Sequence, residues 1–338
     1  MRLSNYLHSQ LAISFFPIFL GLSFITSIVF LVKIVSLTSI IKMDFLELFW
    51  LYLYTMPQII FFTLPVTFFM SLVISVSRLS SEYELAVISS FGISPLKIAK
   101  IFFPISLFIS IILLIISLGL IPKTKYLMNK FINYKKSEAN FNIKESELGQ
   151  KFGDWLIFIE EKENNTYKNV KLFKKEDKKD ELIISESALL DNNKGNLTFK
   201  FLNGNIFIVD EEELNEIKYE TMYINELVQD NKLLEFTTSL DYWLISIKHN
   251  LDNDSFVFFI LSSIFPLISI LFVISFSYFN PRYEKNRALI YSILASIIYY
   301  VIIKYIGNKL LFHSLYIIPT IWIISSYILY SKTTKKEY

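Results

Sequence analysis

The sequence predicts an α-helical membrane protein with six transmembrane helices and an inserted extracytoplasmic all-β domain of sandwich or barrel-like type. Three observations predict it. The first is composition. Of 338 residues, 53% are apolar and 19% charged, against about 45–50% and about 25% in an average soluble domain, and mean hydropathy is +0.44. The second is distribution: the apolar excess falls in six blocks long enough to cross a bilayer, which takes about 20 residues. The third is a polar stretch between the third and fourth blocks, where apolar and polar residues alternate with the period of strands.

The first span is predicted over 11–35, with Lys33 in its last turn. Its apolar core is too long for a signal peptide and lacks a small-x-small cleavage site. The second span covers 49–76 and contains Pro57 and Pro65, whose freed carbonyls neighbouring helices can satisfy. The third covers 98–121 and is expected to stop at Pro122. Residues 1–122 thus form the first domain, 123–254 the β-domain, and 255–338 the last three spans and tail. Strand-like runs in the β-domain are 155–159, 170–173, 182–190, 197–202, 206–209 and 218–224. Asn203-Gly204-Asn205 between two apolar runs predicts a hairpin turn. The remaining spans are 256–278, 288–306 and 315–330, with a basic turn, Asn280-Pro281-Arg282-Tyr283-Glu284-Lys285-Asn286-Arg287, after the fourth.

Lys and Arg in short loops set orientation. One side holds Arg2, Arg78, Lys97, Lys100, Arg282, Lys285, Arg287 and the terminal lysines; the other holds Lys33, Lys42, Lys304 and Lys309. The richer side is expected in the cytoplasm, with both termini, and the β-domain outside.

Several chemistries are excluded. The chain has no cysteine, so it has no disulfide framework or thiolate site, and its three histidines (His8, His249, His313) lack metal-ligand spacing. A net charge of +2 gives no electrostatic case for nucleic acid. No P-loop, Gly-x-Ser-x-Gly or His-Glu-x-x-His occurs. The six apolar cores contain no Asp or Glu, where proton-coupled carriers place relay carboxylates. Uphill transport by this chain therefore needs energy from another polypeptide.

The stretch Arg78 to Pro95 is the candidate point of entry. It predicts a short helix over 82–91 between two spans. Ser81 and Glu84 have capping-box spacing. Gly92 suits the left-handed residue after a helix, and Ser94-Pro95 the start of the next. Glu82 and Glu84 give it an acidic start, and Leu85, Ile88 and Phe91 an apolar face. Such a helix either rests on lipid or docks into a partner. Lys33, Lys304 and Lys309 also have two readings: snorkelling anchors, or a cationic rim for the phosphates of an anionic amphiphile.

Glu82-Tyr83-Glu84-Leu85-Ala86-Val87-Ile88-Ser89-Ser90-Phe91-Gly92-Ile93-Ser94 resembles the coupling-helix region of the LptF/LptG permeases. Asn280-Pro281-Arg282 resembles the matching turn of the LptF branch, and the opening Arg2-Leu3-Ser4-Asn5-Tyr6-Leu7 that family's N-terminus. With the three-plus-three span layout the resemblance covers nearly the whole chain, and it implies that the inserted all-β domain is jellyroll-like. It implies a non-catalytic permease subunit of an ABC transporter in a Gram-negative inner membrane. Such a subunit extracts lipopolysaccharide and has no cofactor of its own, ATP being bound by the partner. The partners implied are an LptB-type ATPase dimer, a paralogous LptG-type permease and an LptC/LptA-type periplasmic bridge, besides membrane lipids. Glu84 falls at the family's ATPase-engaging acid, with Glu82, Leu85, Ile88, Phe91 and Arg78 around it. Lys33 falls near the family's basic residues at the outer end of span one; Lys304 and Lys309 come from the residue reading alone. An ABC permease for another amphiphile and a membrane-anchored periplasmic receptor or scaffold are the alternatives. Co-purification of a stoichiometric nucleotide-binding subunit separates transporter from scaffold.

Overall fold

The computed structural model describes residues 2–37, 43–138, 150–152, 155–163, 166–175, 179–193, 196–210, 214–226 and 238–337. These fall into two compact units, one of residues 1–30, 54–125 and 235–338, the other of 31–53 and 126–234. Five helices are long and apolar enough to cross a membrane, or six if one bent pair counts as a span.

Helix α1 is Arg2–Leu37 and α2 is Phe45–Ser81. The most apolar stretch of α2 is 72% buried and that of α1 only 6%, so α2 is the central helix and α1 the peripheral one. Pro57 and Pro65 lie inside α2 without ending it. The start of α2 is fixed by Glu47, which accepts from the Asp44 N–H at 2.9 Å and pairs with Lys135 Nζ at 2.6 Å.

After α3 (Glu84–Ser90) comes α4 (Pro95–Ile115), which continues through a π-helical turn (Ile116–Leu120) into α5 (Ile121–Glu138). The expected stop at Pro122 does not occur. Pro122 is the second residue of α5, where the missing N–H falls beside a π turn that has already changed the bonding register.

Past the β-insert the chain re-enters as α6 (Ser239–His249), inside the stretch expected to be all β. Next come α7 (Asn253–Ile268) and α8 (Ile270–Ser277), bent by 46° at Ser269. Trp322 Nε1 donates to Ser269 Oγ at 3.0 Å. Then follow α9 (Ala288–Ile302), a second π turn (Ile303–Gly307), α10 (Asn308–Leu310), α11 (Ser314–Lys332) and α12 (Thr334–Glu337). Aromatic rings fill the core of this unit: Phe265 lies 5.2 Å from Phe69 and 4.6 Å from Tyr299, and Tyr299 lies 4.8 Å from Trp322, between ring centroids.

The insert is an antiparallel sheet with strand order β1-β2-β4-β5-β6-β7 and β3 paired to β4. The strands are β1 (Gln150–Phe152), β2 (Trp155–Phe158), β3 (Glu161–Glu163), β4 (Thr166–Lys175), β5 (Lys179–Asn193), β6 (Asn196–Asp210) and β7 (Leu214–Glu226). Ile157, Val170, Leu172, Ile183, Phe199 and Phe201 form its core. The expected hairpin at Asn203-Gly204 is absent, because β6 runs straight through it. Leu202 pairs with Ser187 and Ile206 with Ile183 on β5, and the same residues pair with Thr221 and Ile217 on β7. Asn203 takes φ 50 as a local kink. Gly204 is needed for close approach instead of a turn: a Cβ there would lie 2.2 Å from the Ile184 oxygen and 2.4 Å from Tyr219 Oη.

Candidate functional site

At one end of α4 the chain makes a tight double turn. Arg78 Nε pairs with Glu82 Oε1 at 2.9 Å across one turn. Tyr83, at φ 61, reverses the chain so that α3 begins at Glu84. This is a left-handed conformation that costs a non-glycine residue about 1–2 kcal/mol. The predicted capping box does not form. Ser81 is still the last residue of α2, and its hydroxyl donates back to the Ser77 carbonyl at 3.0 Å, as serines inside apolar helices do. The helix is consequently Glu84–Ser90, shorter than 82–91. Its far end matches the sequence reading: Gly92 has φ 76 and donates to Ser89, and Ser94 in extended conformation leads into Pro95.

Glu84 is fixed by α1: its Oε2 accepts from Tyr6 OH at 2.7 Å. Leu85 is buried and Ile88 packs on the same core, so both root the helix. Phe91 is 80% and Val87 53% exposed, which makes them its outward apolar groups. The turn after α8 closes on the end of α2, just ahead of this helix. Ser277 Oγ donates to the Val73 carbonyl at 3.0 Å, the Phe279 N–H approaches Ser80 Oγ at 3.4 Å, and Asn286 Nδ2 approaches Ser81 Oγ at 3.4 Å. Asn280 builds that turn: its side chain accepts from the Arg282 N–H and its carbonyl from the Tyr283 and Glu284 N–H groups. A cleft of about 290 Å³ lies between, lined by Tyr83, Leu85, Ala86, Asn280, Pro281 and Arg282. That is at the small end for a ligand pocket (about 300 Å³ and up) and suits a docked side chain. Two motifs about 200 residues apart, 78–95 and 280–282, are thereby joined. Ser80, which helps to join them, and Tyr6, which ties Glu84 to α1, carry no local signal that points to these roles.

At the other end of α4 a cavity of about 490 Å³ is lined by the rings of Phe62, Phe258, Phe259 and Tyr300 and by Lys125, Tyr242, Asp252, Asp254 and Lys304. Lys125 Nζ is 4.0 Å from Asp252 Oδ2, and Tyr242 donates a short hydrogen bond to the same carboxylate. Burial, then the Asp252 bond, pushes the Tyr242 phenol well above its ordinary range. Of the three lysines singled out in the sequence, Lys304 lines this cavity. Lys309 sits exposed on α10 and is not among its lining residues. Lys33 belongs to the other unit, where its carbonyl accepts from Ser36 Oγ at 2.7 Å. Lys125, Asp252 and Asp254 went unread, and they make the rim mixed in charge. Among the described residues no group of three or more His, Asp or Glu side chains is placed to hold a metal ion.

A sequence model of the family described as lipopolysaccharide export system permease LptF/LptG matches residues 5–331. The chain belongs to this family. The LptF/LptG match takes in α3, the turn after α8 and the β-insert together, so the resemblance read in 82–94 extends over nearly the whole chain. LptF/LptG proteins are permease components of lipopolysaccharide export, not catalysts. Among curated protein sequences no significant match is found.

Proposed function

We propose that the chain is the LptF-type permease subunit of an ABC transporter that extracts lipopolysaccharide from the inner membrane and passes it to a periplasmic bridge of LptC/LptA type. An LptB-type ATPase dimer would dock at α3 and a paralogous LptG-type permease would complete the lipid path. The Asn280-Pro281-Arg282 turn favours the LptF branch. Orientation follows the same logic: Arg78, Lys97, Lys100, Arg282, Lys285 and Arg287 cluster near the α3 end, which favours that end, and both termini, in the cytoplasm.

The observation that carries the reading is the rooting of α3. A docking helix has to pass a push to the spans. This one is continuous through short turns with α2 and α4, is hydrogen-bonded to α1 through Glu84 and Tyr6, and follows directly on the end of α2 that the turn after α8 bonds. Phe91 and Val87 remain exposed, and a cleft sized for a side chain opens at Leu85 and Ala86 of the same helix. Glu82, held by Arg78, supplies an exposed acid just before the helix begins. At the other end Lys304 and Lys125 would meet lipid phosphates while the acyl chains lie along Phe62 and Phe258. Lys33 and Lys309 are the further candidates for that contact.

The test is capture of the intact complex from native membranes in mild detergent. A stoichiometric nucleotide-binding subunit, a second permease and bound lipopolysaccharide are expected. The double variant Val87→Asp, Phe91→Asp is expected to lose the nucleotide-binding subunit and keep the permease. Capture of the wild type with neither ATPase nor lipid would overturn the transporter reading, and full ATPase retention by the variant would move the docking site off α3.

A further inference from the structure

Helix α6 has two faces of opposite use. Tyr242, Trp243 and Ser246 are buried. Trp243 Nε1 donates to the Leu118 carbonyl at 2.9 Å and Ser239 Oγ to the Gly119 carbonyl at 2.6 Å, both in the π turn after α4. A π turn leaves carbonyls off the regular ladder, and α6 takes up two of them. The opposite face carries Leu240, Leu244, Ile247 and, just past the helix end, Leu251, exposed by 76, 67, 36 and 49%. Their spacing of four, three and four residues is one stripe of a helix.

The depth of this stripe follows from α4. From Pro95 to Leu118 the helix rises about 34 Å at ~1.5 Å per residue, against a hydrocarbon core of about 30 Å. Since α6 is bonded at Leu118 and Gly119, it sits where hydrocarbon gives way to headgroups. Charged groups gather at the same level: Asp252 is joined to α6 through Tyr242, and Lys125 lies beside it. With 11 residues, or about 16 Å, α6 is too short to cross a bilayer. We propose that α6 is an interfacial helix that lies in the plane of the membrane, its leucine stripe sunk into the leaflet opposite the α3 end. There it would hold the Tyr242–Asp252 edge of the cavity at headgroup level. The partner it fits is lipid, as for other amphipathic helices with one apolar and one polar face. The inference rests on the chain spanning a membrane and not on which lipid it exports.

Because the chain has no cysteine, single cysteines can be labelled without background. The purified full chain is placed in phosphatidylethanolamine–phosphatidylglycerol bilayers. A nitroxide is attached in turn at Leu240→Cys, Leu244→Cys and His249→Cys. Collision with oxygen, which partitions into lipid, is compared with collision with a water-soluble nickel chelate. The leucine positions are expected to favour oxygen several-fold more than position 249, which lies on another face of the helix. A chelate-dominated signal at 240 and 244 would overturn the proposal in favour of water. Low accessibility to both reagents would overturn it in favour of a protein cover. Either failure leaves the permease reading untouched, since that reading is tested by capture of partners.

Discussion

Helices α3 and α6 are short, lie at opposite ends of α4, and are held in opposite ways. Helix α6 carries its own fastenings. Thr238 and Asp241 form a full capping box, with the Asp241 N–H donating to Thr238 Oγ at 3.2 Å and the Thr238 N–H to Asp241 Oδ2 at 3.1 Å. Asn250, left-handed, closes a Schellman motif with Leu251 donating to the Ser246 carbonyl at 3.1 Å. Helix α3 has no side-chain N-cap and begins from a strained Tyr83. What holds α3 is its buried Leu85, the Ile88 packed on the same core and the Tyr6 bond to Glu84, while the turn after α8 bonds to Ser80 and Ser81 at the end of α2. Helix α6 thus has caps of its own at both ends, whereas α3 takes its position from packing and from α1.

The largest test of that contrast is Trp243→Ala. It removes a buried indole packed 5.1 Å from Phe256 and 5.9 Å from Phe259, and strands the Leu118 carbonyl. A loss of about 3–5 kcal/mol is expected, read as a lower melting temperature of the purified protein. An unchanged melting temperature would mean that α6 is not fastened as described.

A smaller effect, with a functional readout, is expected of Tyr6→Phe. It deletes one hydrogen bond to a carboxylate at a water-exposed site, about 1 kcal/mol, but unties α3 from α1. Transport per ATP hydrolysed in the reconstituted complex is expected to fall while partner binding holds. Glu84→Gln keeps an acceptor for Tyr6 and is expected to be milder. If Tyr6→Phe couples normally and Glu84→Gln does not, the carboxylate acts on the partner, not on α1.

The smallest effects form a pair. Thr238→Ala removes a true cap and is expected to cost about 1 kcal/mol. Ser81→Ala, at a residue with the same sequence signature but no capping bond, is expected to stay within about 0.5 kcal/mol. Equal losses in thermal unfolding would erase the distinction between the two helix starts.

The same pair shows how far the sequence could be read. Ser81-x-x-Glu84 and Thr238-x-x-Asp241 are alike as strings, yet only the second caps a helix. The difference lies in what precedes them. Ser81 follows an apolar helix that has no reason to stop, whereas Thr238 opens a new one. The leucine period 240, 244, 247, 251 could have revealed α6 but sat inside a stretch dominated by strand alternation. Spans were legible because burial in lipid acts on whole blocks of sequence. Gly92 and Ser94-Pro95 were legible because backbone geometry there is set by the residue itself. Asn203-Gly204 misled because a turn and a kink in a continuous strand ask for the same residues, and pairing with β5 and β7 decides between them. Tyr6 and Glu84 lie 78 positions apart, and the π turns that shape the cavity end carry no local pattern.

The break at Ser269 gives the bundle unequal members. Helix α2 is unbroken from Phe45 to Ser81 and α4 from Pro95 to Ile115. The fourth span is an elbow: the end of α8 is tied to α2 by Ser277, and Phe279 just beyond it to Ser80, while α7 lines the cavity with Phe258 and Phe259, and at the joint Ser269 accepts from the Trp322 indole. Under the proposed docking at α3, thrust reaching this elbow would be turned sideways and would swing the aromatic wall of the cavity against the two unbroken helices.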